Sequence, residues 1–176
     1  MSGPSGVGKT TLLAEVLRRR PGTHLSPSIT TRPPRPGEEG ASKYTFVDPE
    51  RFEELVHEKA FLEYAGYAGH LYGTPREPVE RILKEGADVV LEIEVQGATQ
   101  VKHTVPEAVT IFIAPPSWDV LEARLRQRAT EPAAALERRL VTARHEMEAA
   151  PDFEHRIMND DLGKAVEAVL RIMASG

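Results

Sequence analysis

The N-terminal stretch of the chain reads Gly3-Pro4-Ser5-Gly6-Val7-Gly8-Lys9-Thr10. It fits G-x-x-x-x-G-K-[ST], the pattern of a loop that binds the phosphates of a nucleoside triphosphate. Glycines allow backbone N–H groups to close around phosphate oxygens, and a following helix presents the positive end of its dipole. Lys9 is expected to reach the terminal phosphates, and the Thr10 hydroxyl is expected to ligate Mg²⁺. The alternative, a merely flexible glycine-rich N-terminus, does not account for the helical pattern that follows at once.

The residues around this loop supply one of its two usual neighbours. Apolar spacing predicts a helix over Thr10–Arg20 that ends at Pro21-Gly22. The core face of this helix is formed by Leu12, Leu13, Val16 and Leu17. A buried strand normally precedes such a loop, and Met1-Ser2 is too short to form one. We therefore expect the first core strand to be missing, with Met1 an internal or misassigned start or the chain truncated.

The composition excludes several classes of protein. A chain of 176 residues is long enough for one compact domain with a substantial core. Its net charge of -5 argues against a general nucleic-acid or membrane-surface partner. Without cysteine there is no disulfide, no thiolate metal site and no catalytic thiol. The sequence has no signal peptide and no apolar run long enough to span a bilayer, so we expect a cytoplasmic location. It indicates no particular protein partner.

Short apolar runs alternate with helical patterns along most of the chain. ADVVLEI (residues 87–93) and VTIFIA (residues 109–114) are typical of buried parallel strands, and weaker strands are predicted at 23–28 and 155–158. A last helix is expected to start at the cap formed by Asn159-Asp160-Asp161. Together with the loop, this alternation predicts an α/β fold of the P-loop NTPase type, in which helices flank a parallel sheet core.

Two segments interrupt the alternation. Residues 28–74 are rich in proline, glycine, tyrosine and charge and include a short helix capped by Asp48-Pro49, which indicates a small, partly antiparallel lobe. Residues 119–144 are helical and rich in arginine. Arginines directed at one region are typical of a mobile cover over phosphates. Some of them, Arg126, Arg138 and Arg144, are equally well explained as solvated surface residues.

A second motif lies in the predicted lobe. It reads Thr30-Thr31-Arg32-Pro33-Pro34-Arg35-Pro36-Gly37-Glu38 and is followed by Tyr44-Thr45-Phe46-Val47. Two arginines in a proline-stiffened loop with a tyrosine nearby suit a phosphomonoester, because guanidinium groups pair with phosphate oxygens in a bidentate manner. A polyproline ligand for a partner domain is the alternative, and the upstream phosphate loop disfavours it.

With both motifs in place, the chain resembles the guanylate kinases. The resemblance runs from Ser2 to the last helix, through the segments SGPSGVGKTT, TTRPPRPGE, FLEYAGYAGHLYGT, LEIEVQGA, FIAPPS and MNDDL. It implies one guanylate kinase-like domain over residues 1–176, with a core (1–27, 75–118 and 145–176), a GMP-binding lobe (28–74) and a lid (119–144). It also implies Mg²⁺-dependent conversion of ATP and GMP to ADP and GDP.

The resemblance assigns residues to each part of the site. The ATP-binding residues are Gly3, Pro4, Ser5, Gly6, Val7, Gly8, Lys9, Thr10, Thr11 and Asn159. The catalytic residues are Lys9, Arg124, Arg128 and Arg139. The residues that bind the GMP phosphate are Arg32, Arg35, Tyr44 and Tyr72. The residues around the guanine are Ser28, Glu63, Thr74 and Glu94. The metal ligands are Thr10 and, through water, Glu92. Asn159 is equally well explained as a cap of the last helix.

The chemistry of guanine supports the assignment of Glu63 independently. Guanine presents adjacent N1–H and N2–H donors that one carboxylate can accept together, whereas adenine has no donor at either place. A buried Glu63 would be left unpaired by AMP, at a cost of several kcal/mol. The alternative is a solvated carboxylate.

Glu92 and Glu94 lie at the end of an apolar strand and alternate between its faces. The carboxyl ends of parallel strands border the ligand crevice, so we expect Glu92 near the metal and Glu94 on the GMP side. Two exposed strand-end charges are the alternative.

Two other functions compete with GMP phosphorylation. A guanylate-kinase-like module could hold a phosphopeptide or protein without turnover, and a related kinase could act on another small phosphorylated acceptor. Lys9, Thr10 and both phosphate arginines are present, which favours catalysis.

Overall fold

The structure is a computed structural model that describes residues 1–35, 38, 43–127 and 133–175. The α-helices are α1 (Lys9–Arg19), α2 (Pro49–His57), α3 (Arg76–Lys84), α4 (Val95–Thr104), α5 (Trp118–Gln127), α6 (Ala133–Glu148) and α7 (Leu162–Ser175). The strands are β1 (Thr23–Leu25), β2 (Ser28–Thr30), β3 (Tyr44–Phe46), β4 (Phe61–Tyr67), β5 (His70–Pro75), β6 (Asp88–Val90), β7 (Ile111–Ala114) and β8 (His155–Met158). The chain divides into two compact units, residues 1–21 with 109–176 and residues 22–108. The second unit extends beyond the predicted lobe, 28–74, on both sides.

The first unit is built on parallel strand pairing. β7 and β8 pair in parallel, and the predicted strand at 155–158 is confirmed. Ser2 adds a single parallel bridge opposite Phe112. Its N–H donates to the Ile111 carbonyl at 2.9 Å, and its carbonyl accepts from the Ile113 N–H at 2.8 Å. We expected no strand contribution from Met1-Ser2, but this short segment does supply one rung of a parallel ladder directly before the phosphate loop.

Helices α1 and α7 pack together in the first unit. The core face predicted for α1 is confirmed at Leu12, Leu13 and Val16, which are buried, while Leu17 is half-buried. The start of α7 is also confirmed, because the Asp161 carboxylate accepts the Lys164 N–H at 2.8 Å and so caps the helix. Because α1 begins directly after the phosphate loop, this packing holds the end of the loop in place.

The second unit contains a four-stranded mixed sheet with the order β3-β2-β5-β4. β2 pairs with β3 in parallel, and β5 pairs with both β2 and β4 in the antiparallel sense. The antiparallel pairing expected within residues 28–74 is therefore present. The predicted short helix is α2, whose Asp48 cap accepts the Arg51 N–H at 2.7 Å. Its buried Phe52 stacks on Phe61 with ring centroids 4.7 Å apart and so supports β4.

Two strands of the second unit differ from the prediction. The expected strand at 23–28 forms two, β1 and β2, on either side of Ser26 and Pro27. β1 pairs in parallel with β6, and the Ser26 N–H donates to the Val90 carbonyl at 3.0 Å. Pro27 has no N–H to continue this ladder. The pairing therefore stops there, and β6 ends at Val90 rather than at Ile93.

Candidate functional site

The phosphate loop, residues 3–8, joins the Ser2 bridge to α1 in the first unit. Gly8 stands immediately before the helix with φ of 102°, in the left-handed region that glycine tolerates best. A Cβ atom on Gly8 would lie 2.7 Å from Nδ2 of Asn159. The position therefore requires glycine both for its backbone angle and for the close approach of Asn159.

The Lys9 side chain folds back over this loop. Its Nζ donates to the carbonyl of Gly3 and to that of Pro4, the latter at 3.3 Å. Its position in the first turn of α1 holds the ammonium beside the backbone that would surround phosphates. Because an ammonium has three N–H donors, it can exchange carbonyl partners for phosphate oxygens without moving the helix.

Asn159 follows β8 directly and is buried. Its Nδ2 donates to the Val7 carbonyl in the loop at 2.8 Å. The alternative that Asn159 only caps the last helix is wrong, because Asp161 provides the cap. The Asn159 amide instead connects the end of β8 to the phosphate loop.

Two of the three predicted lid arginines contact the loop. Arg124 of α5 donates from Nη1 to the Val7 carbonyl at 3.3 Å, and Arg139 of α6 donates from Nη2 to Ser5 Oγ at 3.2 Å. Glu146, buried on α6, accepts the Ser5 N–H at 3.4 Å. The third, Arg128, lies outside the described residues. Both helices of the predicted lid thus have side chains on the phosphate loop.

In the second unit, Glu63 is a carboxylate on β4 with only 5% of its surface exposed. Thr74, its cross-strand neighbour on β5, donates its hydroxyl to Glu63 Oε1 at 2.6 Å. Burial raises the pKa of Glu63 above its ordinary value. The hydrogen bonds from Thr74 act in the opposite direction, and the charge of Glu94 adds to the rise. Such a carboxylate favours a ligand that donates hydrogen bonds to it.

Helix α4 frames Glu63 through two residues that the sequence interpretation did not single out. A Cβ atom on Gly97 would lie 2.2 Å from Glu63 Oε2. Gln100 binds the backbone of the next residue along β4: its Oε1 accepts the Tyr64 N–H at 3.2 Å, and its Nε2 donates to the Tyr64 carbonyl at 2.9 Å. The sequence signal that could have identified Gly97 is a glycine within a helical pattern. Such a glycine destabilises a helix by about 1 kcal/mol relative to alanine, so its presence suggests a packing or functional reason.

The residues predicted for a phosphomonoester are also in the second unit. Arg32 Nη2 lies 2.9 Å from Glu38 Oε2, which also accepts the backbone N–H of Arg35 at 2.8 Å. The Arg32 guanidinium lies 5.4 Å from the ring centroid of Tyr44, and the rings of Tyr44 and Tyr72 are 6.4 Å apart. The Glu38 carboxylate thus already accepts hydrogen bonds from donors that would bind a phosphate. The Arg35 residue is exposed.

Three further residues assigned to the guanine or the metal also lie in the second unit. Ser28 begins β2 opposite Tyr44. Glu92 follows β6 and accepts a hydrogen bond from Lys43 Nζ at 2.7 Å. Glu94 precedes α4 without capping it through its side chain.

The predicted metal ligands fit Mg²⁺ in chemical type. Thr10 lies exposed in the first turn of α1, and the Thr10 hydroxyl and the Glu92 carboxylate are both oxygen donors. Mg²⁺ commonly takes one or two carboxylates together with substrate phosphates and water. Within the described part of the chain, no cluster of three or more His, Asp or Glu side chains could hold a metal ion.

The fold and these residues define a class. A glycine-rich loop that opens a helix beside a parallel strand pair, with a lysine and two arginines directed at it, is the site of a P-loop enzyme that transfers phosphoryl groups. A search of solved structures agrees on the fold: shikimate kinase from Bacteroides thetaiotaomicron aligns with a TM-score of 0.50 at 20% identity, over 98% of this chain and 95% of that one.

Closer relatives identify the family. The guanylate kinase family model matches residues 1–176. Proteins named guanylate kinase from Gloeobacter violaceus and Thermus thermophilus are 52% and 53% identical, covering 98% and 99% of this chain and 84% and 79% of theirs. The crystal structure of guanylate kinase from Anaplasma phagocytophilum aligns with a TM-score of 0.78 at 31% identity, over 99% of this chain and 82% of that one. The chain belongs to the guanylate kinase family and is an enzyme of the kinase class.

None of the helices in the described residues has the length and apolar character needed to cross a membrane.

Proposed function

We propose that this chain transfers the γ-phosphoryl group of ATP to GMP, producing ADP and GDP, with the residue roles set out below. The name shared by its relatives supports this reaction. The structural observation that carries the choice of acceptor is the buried Glu63, a carboxylate held by Thr74 that can accept hydrogen bonds from a ligand.

The first unit binds ATP through the loop of residues 3–8 and the first turn of α1, including Thr10 and Thr11. Loop N–H groups and Lys9 bind the phosphates. The Asn159 amide holds the loop in place by donating to the Val7 carbonyl. Arg124 and Arg139 neutralise the charge on the transferring group, with Arg128 in the same role. Phosphoryl transfer depends mainly on positioning and charge neutralisation, so these cations are the principal catalysts.

The second unit binds GMP. Glu63 accepts the N1–H and one N2–H of guanine, while Ser28, Thr74 and Glu94 border the base. Arg32, Arg35, Tyr44 and Tyr72 bind the phosphate, where the phosphate replaces Glu38 as the partner of the arginines. AMP offers no donor to Glu63, so its binding leaves a buried carboxylate unpaired at a cost of several kcal/mol.

Mg²⁺ is the cofactor that these residues imply. Thr10 would hold it directly and Glu92 through water, with the remaining positions filled by nucleotide phosphates and water. When bound, it supplies neutralisation of phosphate charge and alignment of the triphosphate.

The proposal is tested by a coupled assay for ADP formation with GMP, AMP, dGMP and ribose phosphates as acceptors. GMP-dependent turnover with AMP at least about a hundredfold poorer is expected from the loss of the Glu63 contacts. Turnover with another acceptor in preference to GMP would favour the broader kinase alternative. Binding of GMP without turnover in the presence of ATP and Mg²⁺ would favour a binding module.

A further inference from the structure

Lys43 connects the predicted phosphate site at Tyr44 with Glu92, the residue expected to hold Mg²⁺ through water. It stands directly before Tyr44, and its Nζ lies 2.7 Å from Oε2 of Glu92. The Lys43 side chain is 29% exposed and that of Glu92 is 12% exposed, so the pair is largely removed from water. The same ammonium lies 5.4 Å from the ring centroid of Tyr44, within cation–π range.

The Tyr44 ring therefore has two cationic side chains near it. Arg32 Cζ and Lys43 Nζ each lie 5.4 Å from its ring centroid. Like charges gathered around one side chain repel each other, and here each is held by its own carboxylate, Glu38 for Arg32 at 2.9 Å and Glu92 for Lys43 at 2.7 Å. A site with two cations around a phenol suits a dianion such as a phosphomonoester.

The Lys43 ammonium can contact more than one partner in this environment. An ammonium has three N–H donors and no acceptor, and Glu92 takes one of them. A phosphate oxygen beside the Tyr44 hydroxyl can take another.

We propose that Lys43 is a further ligand of the acceptor phosphate, in addition to Arg32, Arg35, Tyr44 and Tyr72. This inference rests on the proposed function, in which the phosphate of GMP lies at Tyr44. Glu92 holds the lysine beside that phosphate and offsets part of its charge. If Lys43 only anchored Glu92, any amide or guanidinium donor would replace it equally well, and the phosphate of the ligand would have no bearing on the effect of substitution.

The test is calorimetric titration of the full chain with GMP and with guanosine, without ATP or Mg²⁺. Lys43→Gln keeps a donor for Glu92 but removes the charge, Lys43→Arg keeps the charge, and Lys84→Gln removes an exposed lysine from α3 as a matched control. We expect Lys43→Gln to raise the Kd of GMP about tenfold or more, the value of one charge-assisted hydrogen bond. The Kd of guanosine should be the same for Lys43→Gln as for the wild type. The Kd of GMP should be unchanged in Lys84→Gln and nearly unchanged in Lys43→Arg.

The outcomes separate the two proposals. If the wild type binds no GMP, the proposed function fails, and the role of Lys43, which rests on it, fails with it. If the wild type binds GMP and Lys43→Gln changes its Kd less than twofold, or weakens guanosine as much as GMP, the role of Lys43 is overturned. Should Lys43→Gln unfold, the double variant Lys43→Gln/Glu92→Gln leaves no unpaired carboxylate, and the same loss for GMP alone is expected.

Discussion

At the scale of single residues, Glu63 illustrates how a binding group can cost stability. Its carboxylate is buried against Thr74 and close enough to Glu94 for that charge to raise its pKa further. The folded chain therefore holds the proton of Glu63 more tightly than the unfolded chain. Ionised Glu63 disfavours folding at neutral pH, and a bound ligand with two donors would offset that cost.

Replacing Glu63 by glutamine separates binding from stability. The amide keeps an acceptor for Thr74 but can accept only one of the two guanine donors well, so we expect kcat/KM for GMP to fall about a hundredfold. The KM for ATP should change little. Coupled kinetics with each nucleotide varied in turn measures both, and equal losses for the two nucleotides would contradict the role of Glu63.

The same variant has a defined pH signature. A carboxyl with a raised folded-state pKa contributes stability that is fully present below its ordinary value of 4.5 and is lost as pH rises through the folded pKa. Glutamine does not titrate. Relative to the wild type, Glu63→Gln should therefore gain free energy of unfolding between acidic and neutral pH, measured by urea denaturation without ligand. A constant difference across that range would show that Glu63 is not perturbed by burial.

Gly97 leads to a further prediction at this scale. Alanine there would place a Cβ atom 2.2 Å from Glu63 Oε2 and push the carboxylate out of position. Because alanine favours a helix interior by about 1 kcal/mol over glycine, the variant should lose GMP affinity without a matching loss of stability. We expect the KM for GMP to rise about tenfold or more, the cost of displacing one ligand hydrogen bond.

Gly66→Ala is the matched control for Gly97→Ala. It makes the same substitution on β4, at a position where a Cβ atom would meet nothing within 4 Å. An unchanged KM for GMP in Gly97→Ala, or an equal rise in the control, would show that the approach of α4 does not set the position of Glu63.

At the scale of elements, α6 brings one side of its surface to the phosphate loop. Arg139 donates to Ser5 Oγ and Glu146 accepts the Ser5 N–H, whereas the neighbouring Arg138 is exposed. Arg139→Met should lower kcat on the order of a thousandfold, as expected for an arginine that neutralises a transferring phosphoryl group, with the KM for GMP nearly unchanged. Arg138→Met should retain nearly full kcat. Comparable losses in the two variants, in steady-state assays, would assign the effect to α6 as a whole.

The elements also show what the sequence can predict and why. The cap at Asp48, the strand at 155–158 and the antiparallel pairing within residues 28–74 follow from local signals, and the structure confirms them. The separate strands β1 and β2 could have been anticipated from Pro27. The bridge at Ser2 and the contacts of Gly97 and Gln100 could not, because they depend on distant segments: β7 for Ser2, and β4 for the two α4 residues.

Individual residue roles in the candidate site were the least predictable from local pattern. The resemblance to the guanylate kinases implies that Arg124, Arg139 and Asn159 belong to the ATP site, yet their shared partner, the loop of residues 3–8, is distant along the chain. Asn159 shows the difficulty, since its local sequence fitted a helix cap equally well. Only the pairing of β7 and β8 brings it to the Val7 carbonyl.

At the scale of the whole molecule, the proposed ATP cradle and the guanine site belong to different compact units. Lys9 with its loop lies in the first, and Glu63 with Thr74 lies in the second. A ligand that binds only the folded state raises the free energy of unfolding by about 2.7 kcal/mol at a concentration one hundred times its Kd. Each nucleotide should therefore stabilise the chain through its own residues.

Thermal unfolding of paired variants tests this division. We expect Lys9→Met to abolish most of the rise in Tm produced by ATP with Mg²⁺ while retaining the rise produced by GMP, and Glu63→Gln to show the reverse. The reason is that the Lys9 ammonium donates to the loop carbonyls of Gly3 and Pro4, whereas Glu63 is bound by Thr74 within the other unit. Lys84→Gln, an exposed change, should keep both rises. Loss of both rises in either variant would mean that the residue supports the fold as a whole, and would remove the basis for assigning one nucleotide to each unit.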